Sequence, residues 1–494
     1  MAQTVDWLAV APPVVLAVAA LVVLLLDLWW PGRAAVSTAV SAGAAAVALA
    51  AVGYLWTDPR ATFCLSADGA PSCSYVVNEL TVVLQGVVLI GTFVVLLLSH
   101  SDTAGAMPVG ETRFLLLASA TGALVLAAGR DLATIVVALE VVSLPAFALV
   151  GLWRAGRRDA EAALTFFLVS VVSIAVMIYG ISLIYGVTGA IHLDRIAAAL
   201  AEPEGRTAAA TAGVVLTLGG LLFKIGAVPF HFWVPDTYDG APVVVAAYLS
   251  VVSKAAGIAG LVIVVGIGFP SYADVWAPLL AVLAVVTMTL GNVAALRQRS
   301  AIRLLAWSSV AHAGYMLVPL GASVAADGGL IGAQLSTAVA YLALYAVINL
   351  AAFGVVSIVA RSAEPTGAIE DYRGLAWAKP AAAVALGFGL VALAGLPPGV
   401  AGLWARVVIV DAAVAGGATW LAVAVVINTA IGLVYYLRWT VLLFTPARTK
   451  EPRTYRVPMT SGVAVGIALA AGLAFSVLPQ LVLGLAGESA GLFG

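Results

Sequence analysis

The apolar residues of this chain come in long blocks separated by short polar breaks. Along its 494 residues, each block holds about 20 apolar positions, enough for a helix to cross roughly 30 Å of hydrocarbon. The pattern predicts fourteen spans, at 8–30, 35–56, 78–99, 112–129, 132–153, 161–187, 208–231, 242–266, 274–295, 302–321, 333–360, 379–413, 418–445 and 458–484. The seventh and twelfth are interrupted. The first ends in DLWWPGR, a tryptophan pair and a basic stop without a small-residue cleavage site. It therefore reads as a retained helix, not a signal peptide.

Composition strengthens this picture. Hydrophobic residues make up 63% of the chain and charged residues 10%, with a mean hydropathy of +1.11. These values exclude a soluble protein of this length. The predicted fold class is all-α, a polytopic membrane protein of about 14 transmembrane helices in a lipid bilayer. A formal net charge of −1 gives no footing for nucleic acid, but the distribution of charge is informative. Sixteen Lys and Arg residues fall in odd-numbered loops: Arg33, Arg113, Arg154, Arg157, Arg158, Arg297, Arg299, Arg303, Arg361, Arg373, Lys379, Arg438, Arg448, Lys450, Arg453 and Arg456. Only Arg60, Arg130, Arg195 and Arg206 fall in even-numbered ones. Positive residues of short loops stay cytoplasmic, so both termini are expected outside. Cys64 and Cys73, in RATFCLSADGAPSCSY, then lie in an outer loop. Their spacing suits a small disulfide, the alternative being two free thiols.

Three cations remain inside spans: Lys224, Lys254 and Arg406. A charge near the bilayer centre costs roughly 2.5–3.5 kcal/mol even on lenient scales, so such residues face a partner or water. Glu140, in ATIVVALEVVSLPAF, joins them as a proton-exchanging or pair-forming carboxylate; otherwise it is a permanently protonated acid between helices. Snorkelling to an interface is the ordinary alternative for the lysines. Lys254 lies about twelve residues into its span, roughly 18 Å at 1.5 Å per residue, which makes that difficult. A buried lysine can switch its proton affinity when a neighbouring carboxylate moves, whereas arginine stays charged. Arg406 is therefore a fixed charge or gate, biasing a nearby water or an acid such as Asp411.

His231 follows Lys224 by seven positions, about 10 Å along an unbroken helix, a distance suited to a water-bridged relay. His312, in SSVAHAGYML, is the other imidazole placed on a proton path, although either could be only a hydrogen-bonded core residue. His100 and His192 read as loop residues. Pro229 and Pro235, and GLPPG at 395–399, remove amide donors and break the seventh and twelfth spans. Broken helices at membrane depth line hydrated cavities or protein. Two of them, five spans apart, predict inverted five-helix repeats, with Glu140 and His312 in corresponding helices. The division is 1–110 for an N-terminal three-helix segment, 111–270 for the first repeat, 271–445 for the second and 446–494 for the last helix. Trp29, Trp30, Trp233 and Trp276 read as interface anchors.

Several stretches carry a resemblance: LEVVSLPAFAL, EAALTFFL, FKIGAVPFHFWVPDTYDGAPVVV, LSVVSKAAG, GNVAALRQRSAIRLLAWSSVAHAGYML and AGLPPGVAGLW. Over about 112–445 the chain resembles the antiporter-like membrane subunits of respiratory complex I (NADH:quinone oxidoreductase). PDTYDGAP favours the N subunit (NuoN) over the M and L paralogues. The resemblance implies a proton-translocating module of a translocase in the bacterial inner membrane. Glu140 would pair with Lys224, and a water-linked axis would pass through Lys254 to a basic residue of the twelfth span, with His231 and His312 on or beside it. It implies no cofactor in this chain, with NADH, FMN, iron-sulfur clusters and quinone held by other subunits. It implies M-type and K/J-type membrane subunits as neighbours. Two positions depart from the family pattern: GLWAR places Arg406 where lysine in a GFIGK-like setting is usual, and EAALTFF places Thr165 where the family has lysine. Competing readings are a subunit of a multi-subunit cation/proton antiporter or membrane-bound hydrogenase, a freestanding anion transporter, and a non-pumping scaffold subunit.

Overall fold

The structure is a computed structural model that describes residues 5–65, 71–102, 107–152, 157–323, 328–361, 367–447 and 457–488. Arg154, Arg448, Lys450, Arg453 and Arg456 lie outside the described residues. Helices occupy all fourteen predicted segments: α1 (Ala11–Trp29), α2 (Ala34–Leu55), α3 (Glu79–Asp102), α4 (Val109–Ala128), α5 (Leu132–Gly151) and α6 (Arg157–Thr188), then, after a short α7 (Leu193–Ala201), α8 (Ala208–Ile225). A second short helix, α9 (Trp233–Gly240), precedes a span built from α10 (Val243–Tyr248) and α11 (Lys254–Ile263), joined by a π-helical turn at Leu249–Ser253. The chain continues with α12 (Ala273–Leu296), α13 (Ala301–Gly321), α14 (Gly328–Val359), a one-turn α15 (Leu375–Ala378), α16 (Pro380–Ala394), α17 (Val400–Ala415), α18 (Thr419–Leu443), α19 (Met459–Val477) and α20 (Gln480–Glu488). Among the described residues, 12 spans are long and apolar enough to cross a membrane. Outside that set are α13 and the divided pair α16/α17.

Glycine, not proline, ends the two broken helices. Gly226 (φ +75°) and Gly395 (φ +81°) adopt the left-handed conformation that a side chain disfavours. At the first, Gly226 N–H bonds Phe223 O and Ala227 N–H bonds Leu222 O; at the second, Gly395 N–H bonds Ala392 O and Leu396 N–H bonds Val391 O. Both have the six-to-one bond of a Schellman C-cap, followed within three residues by proline. Pro235 was expected to break a helix; instead it occupies the first turn of α9, where its missing N–H costs nothing. Helix pairs pack closely at two more glycines. A Cβ on Gly122 of α4 would meet Val142 N of α5 at 2.7 Å, and one on Gly291 of α12 would meet Ala311 N of α13 at 2.5 Å.

Beside the helices, the described residues form one small sheet. β1 (Arg60–Leu65) and β2 (Ser72–Val77) form an antiparallel hairpin in which Cys64 faces Cys73, and a disulfide joins the pair. The hairpin ties even-numbered loops together. Thr62 Oγ1 accepts Asp6 N–H at 3.1 Å, Ser74 O accepts Arg130 N–H at 2.9 Å, and Ser72 Oγ donates to Asp194 Oδ2 at 2.6 Å. Arg206 pairs with Asp274 at 2.5 Å on the same side. Odd-numbered loops likewise meet only each other in these ties: Thr38 bonds His100, Arg303 bonds Asp236, and Arg361 bonds Leu98 O and Ser461. Closing so short a loop stabilises the hairpin by about 2–3 kcal/mol. Cys64→Ser with Cys73→Ser is therefore expected to lower the thermal unfolding temperature of the purified protein and leave helix content unchanged by circular dichroism.

Three sequence readings change in the folded chain. Arg113, assigned to a loop, is wholly buried within α4, where Nη2 donates to Thr38 Oγ1 at 2.6 Å. Trp233 and Trp276 are 1% and 0% exposed, whereas Trp29 and Trp30 are 67% and 52% exposed. Trp233 stacks on Phe166 at 4.3 Å and bonds Phe223 O, and Trp276 bonds Phe269 O. Of these four tryptophans, Trp29 and Trp30 alone have the exposure of interface anchors.

Candidate functional site

Glu140, Lys224, Lys254 and Arg406 sit on α5, α8, α11 and α17, the three cations buried and the acid partly so. Glu140 is half-buried, on a face whose neighbours Val137, Val141 and Leu144 are 62%, 38% and 55% exposed. It has no hydrogen bond or ion pair among the described residues, although it acts electrostatically on Lys224. The direct pair expected between them is not formed. Lys224, 1% exposed on the last turn of α8, donates from Nζ to Ser143 Oγ at 2.8 Å. The Phe166 ring lies 5.9 Å from the ammonium. Thr165, which stands in the usual lysine position, precedes that phenylalanine.

Lys254 is the junction of the array. Its Nζ donates to Ile225 O at 3.0 Å and to Ser309 O at 2.6 Å. The first acceptor belongs to the residue after Lys224, at the end of α8; the second belongs to α13, in the other half of the chain. Both are neutral carbonyls. Lys254 is 2% exposed, so snorkelling is ruled out by position. The π-helical turn just before it is a local unwinding common at functional sites.

Four positions of α13 reach in different directions. Trp307 packs against His231 at 5.7 Å between ring centroids. Ser308 bonds the Tyr436 hydroxyl closely, while Ser309 Oγ accepts the Tyr345 hydroxyl at 3.1 Å. His312 meets a tyrosine hydroxyl at each ring nitrogen, Tyr341 at Nδ1 (2.8 Å) and Tyr436 at Nε2 (3.2 Å). Tyr435 and Tyr315 extend the aromatic cluster and bond Asn292. A neutral imidazole held this way can take a proton at one nitrogen and release one from the other.

His231 is not on a continuous helix with Lys224, because α8 stops at Ile225 and the chain turns through 226–232. The 10 Å spacing therefore does not apply. Among the described residues its buried Nδ1 has no hydrogen-bond partner, and the same holds for Trp307 Nε1, Ser253 Oγ, Thr217 Oγ1, Thr237 Oγ1 and Asn349 Oδ1. Buried polar atoms of this kind are bonded to water as a rule.

Arg406 is tied to backbone. Nη2 donates to Leu393 O, Nη1 to Gly402 O at 3.2 Å and Nε to Thr429 Oγ1 at 3.1 Å, with the Tyr315 ring 5.5 Å away. It thus clasps α16 to α17 across the second break. Asp411, suggested as its acidic partner, is exposed and is not bonded to it. The sequence reading missed Ser143, Ser309, Tyr341, Tyr345 and Tyr436. The available signals were polar groups at helical spacing in apolar spans, as in YLALY and the adjacent pair YY. Among the described residues no three His, Cys, Asp or Glu side chains gather as a metal site.

Comparison with known proteins places this geometry. Residues 129–432 match the family model described as NADH:quinone oxidoreductase/Mrp antiporter, transmembrane. The chain is 51% identical to NADH-quinone oxidoreductase subunit N 2 of Streptomyces griseus, over 99% of this chain and 94% of that one. It is 47% identical to subunit N of Salinispora tropica, over 91% and 87%. A chain of respiratory complex I from Thermus thermophilus superposes with TM-score 0.77 at 31% identity, covering 96% of this chain and 99% of that chain. A chain of the Mrp complex from Dietzia superposes with TM-score 0.83 at 20% identity, covering 98% and 97%, a likeness of fold alone. The chain belongs to the NADH:quinone oxidoreductase/Mrp antiporter transmembrane family, among the N subunits of NADH-quinone oxidoreductase.

Proposed function

We propose that this chain is a proton-translocating membrane subunit of NADH:quinone oxidoreductase and moves protons along Glu140, Lys224, Lys254 and His312. The observation that carries this reading is the position of Lys254. A buried ammonium with only carbonyl acceptors joins the residue after Lys224 to α13, one turn before His312. A scaffold has no use for two lysines whose burial is costly and uncompensated by ion pairs. Proton transfer has such a use, because an amine without a fixed carboxylate can change its protonation when a neighbour moves.

From Lys254 the path continues through His312, whose ring can pass a proton between Tyr341 and Tyr436, to Ser308. His231 and its wet surroundings form a side branch at the first break. Arg406, permanently charged, holds the second break and biases the path without carrying protons. The matched glycine caps and close helix pairs support reading α4–α11 and α12–α18 as inverted repeats, together making fourteen crossings with the remaining spans. Arginine-rich odd loops, and a disulfide hairpin among even ones, support both termini outside. The exposed Glu140 face suits an adjoining small membrane subunit of the K/J type, with an M-type subunit elsewhere. NADH, FMN, iron-sulfur clusters and quinone belong to other subunits of the complex. The N-subunit relatives favour this reading over a cation/proton antiporter or hydrogenase.

The test uses assembled complex in proteoliposomes. Glu140→Gln and Lys224→Ala are each expected to slow coupled NADH:quinone turnover about fivefold, near 1 kcal/mol of barrier, and to lower the protons moved per electron. Native stoichiometry in both variants would support a scaffold.

A further inference from the structure

We infer that Ser143 is a second docking position for the Lys224 ammonium, holding it away from Glu140 during one stage of the proton cycle. The inference rests on the proton-carrier reading and adds a positioning residue to it. Ser143 is fully buried on α5. Its hydroxyl proton is committed to Leu139 O at 2.6 Å, so its oxygen lone pairs remain as the acceptor that meets Lys224 Nζ at 2.8 Å. Glu140 lies three residues earlier on the same helix, and side chains at that spacing have Cβ atoms about 5–6 Å apart. A flexible four-carbon stem can cover that distance by changing rotamer.

The two positions are chemically unlike. At Glu140 the ammonium would face a carboxylate, which favours keeping its proton; at Ser143 it faces a neutral hydroxyl and the Phe166 ring. Ile225, the residue that follows Lys224 in the chain, has its carbonyl bonded by Lys254. Ser143 thus offers the amine a place to stand while its proton passes inward. Without an acceptor there, a charged Lys224 has Glu140 as its available partner and remains on it.

The experiment compares Ser143→Ala, Ser143→Cys and Ser143→Thr in assembled complex reconstituted in proteoliposomes, with NADH:quinone turnover and proton uptake measured together. Alanine suits a helix interior, and the thiol of cysteine is close in size to the hydroxyl but a weak acceptor. Both are expected to lower coupled turnover about threefold at native amounts of complex, while threonine restores at least half. In a Glu140→Gln background, Ser143→Ala should add little, because the carboxylate that captures Lys224 is gone; a packing role would add in full. Native turnover in Ser143→Ala, or equal loss in alanine and threonine variants, or full additivity with Glu140→Gln, would overturn the inference. If Lys224→Ala slows pumping while Ser143→Ala does not, only the docking role fails. If Lys224→Ala itself pumps normally, the carrier reading fails.

Discussion

Lys254→Ala in assembled complex is expected to reduce coupled NADH:quinone turnover about a hundredfold, the lower end of what a positioned acid–base group contributes. Lys254 is the buried lysine that bonds both halves of the chain. Its Nζ reaches Ile225 O in the first half and Ser309 O in the second, so truncation cuts the array in its middle. Lys254→Arg separates charge from chemistry. Arginine keeps a cation and several donors but does not release its proton. It is expected to preserve assembly and still fail to restore turnover. Recovery by arginine would mean that a fixed positive charge suffices at this position.

Arg406→Ala is expected to act on assembly before it acts on protons. The substitution leaves Leu393 O and Gly402 O without their present guanidinium donors and removes the clasp between α16 and α17. Leaving such buried groups unsatisfied costs about 1–3 kcal/mol each, so a total loss of about 3 kcal/mol is expected, read as a lower yield of complex and a lower thermal dissociation temperature. Arg406→Lys keeps the charge but cannot make all three bonds in the same geometry. It should assemble with intermediate stability and retain pumping. An Arg406→Ala complex with native stability and native pumping ratio would remove both the clasp and the electrostatic role.

Much of this organisation was legible because the bilayer makes each exception costly. Apolar blocks located the helices, and the few charges inside them picked out Glu140, Lys224, Lys254 and Arg406. What the sequence concealed was cheap in composition. Ser143 and Ser309 are ordinary in an apolar helix, and one of them acts through its backbone carbonyl, which every residue possesses. Tyr341, Tyr345 and Tyr436 resemble core aromatics until the fold gathers them at α13.

Proximity in sequence also misled the reading at the breaks. Pro229 and Pro235 drew attention as helix breakers, but the left-handed Gly226 ends α8 first, so the distance from Lys224 to His231 follows no helical rise. Trp233 and Trp276 have the residue type and approximate location of interface anchors, yet close packing buries both. The Glu140–Lys224 pair came from resemblance, and the structure instead finds the lysine one turn away, on Ser143. A polar contact made between helices cannot be read from spacing alone.

The most direct measurement is the number of protons moved per electron by complex carrying Lys254→Arg, reconstituted in sealed proteoliposomes and driven by NADH. The expected result is a ratio below that of native complex at matched electron flux, with native assembly. A native ratio in that variant would contradict proton carriage through Lys254.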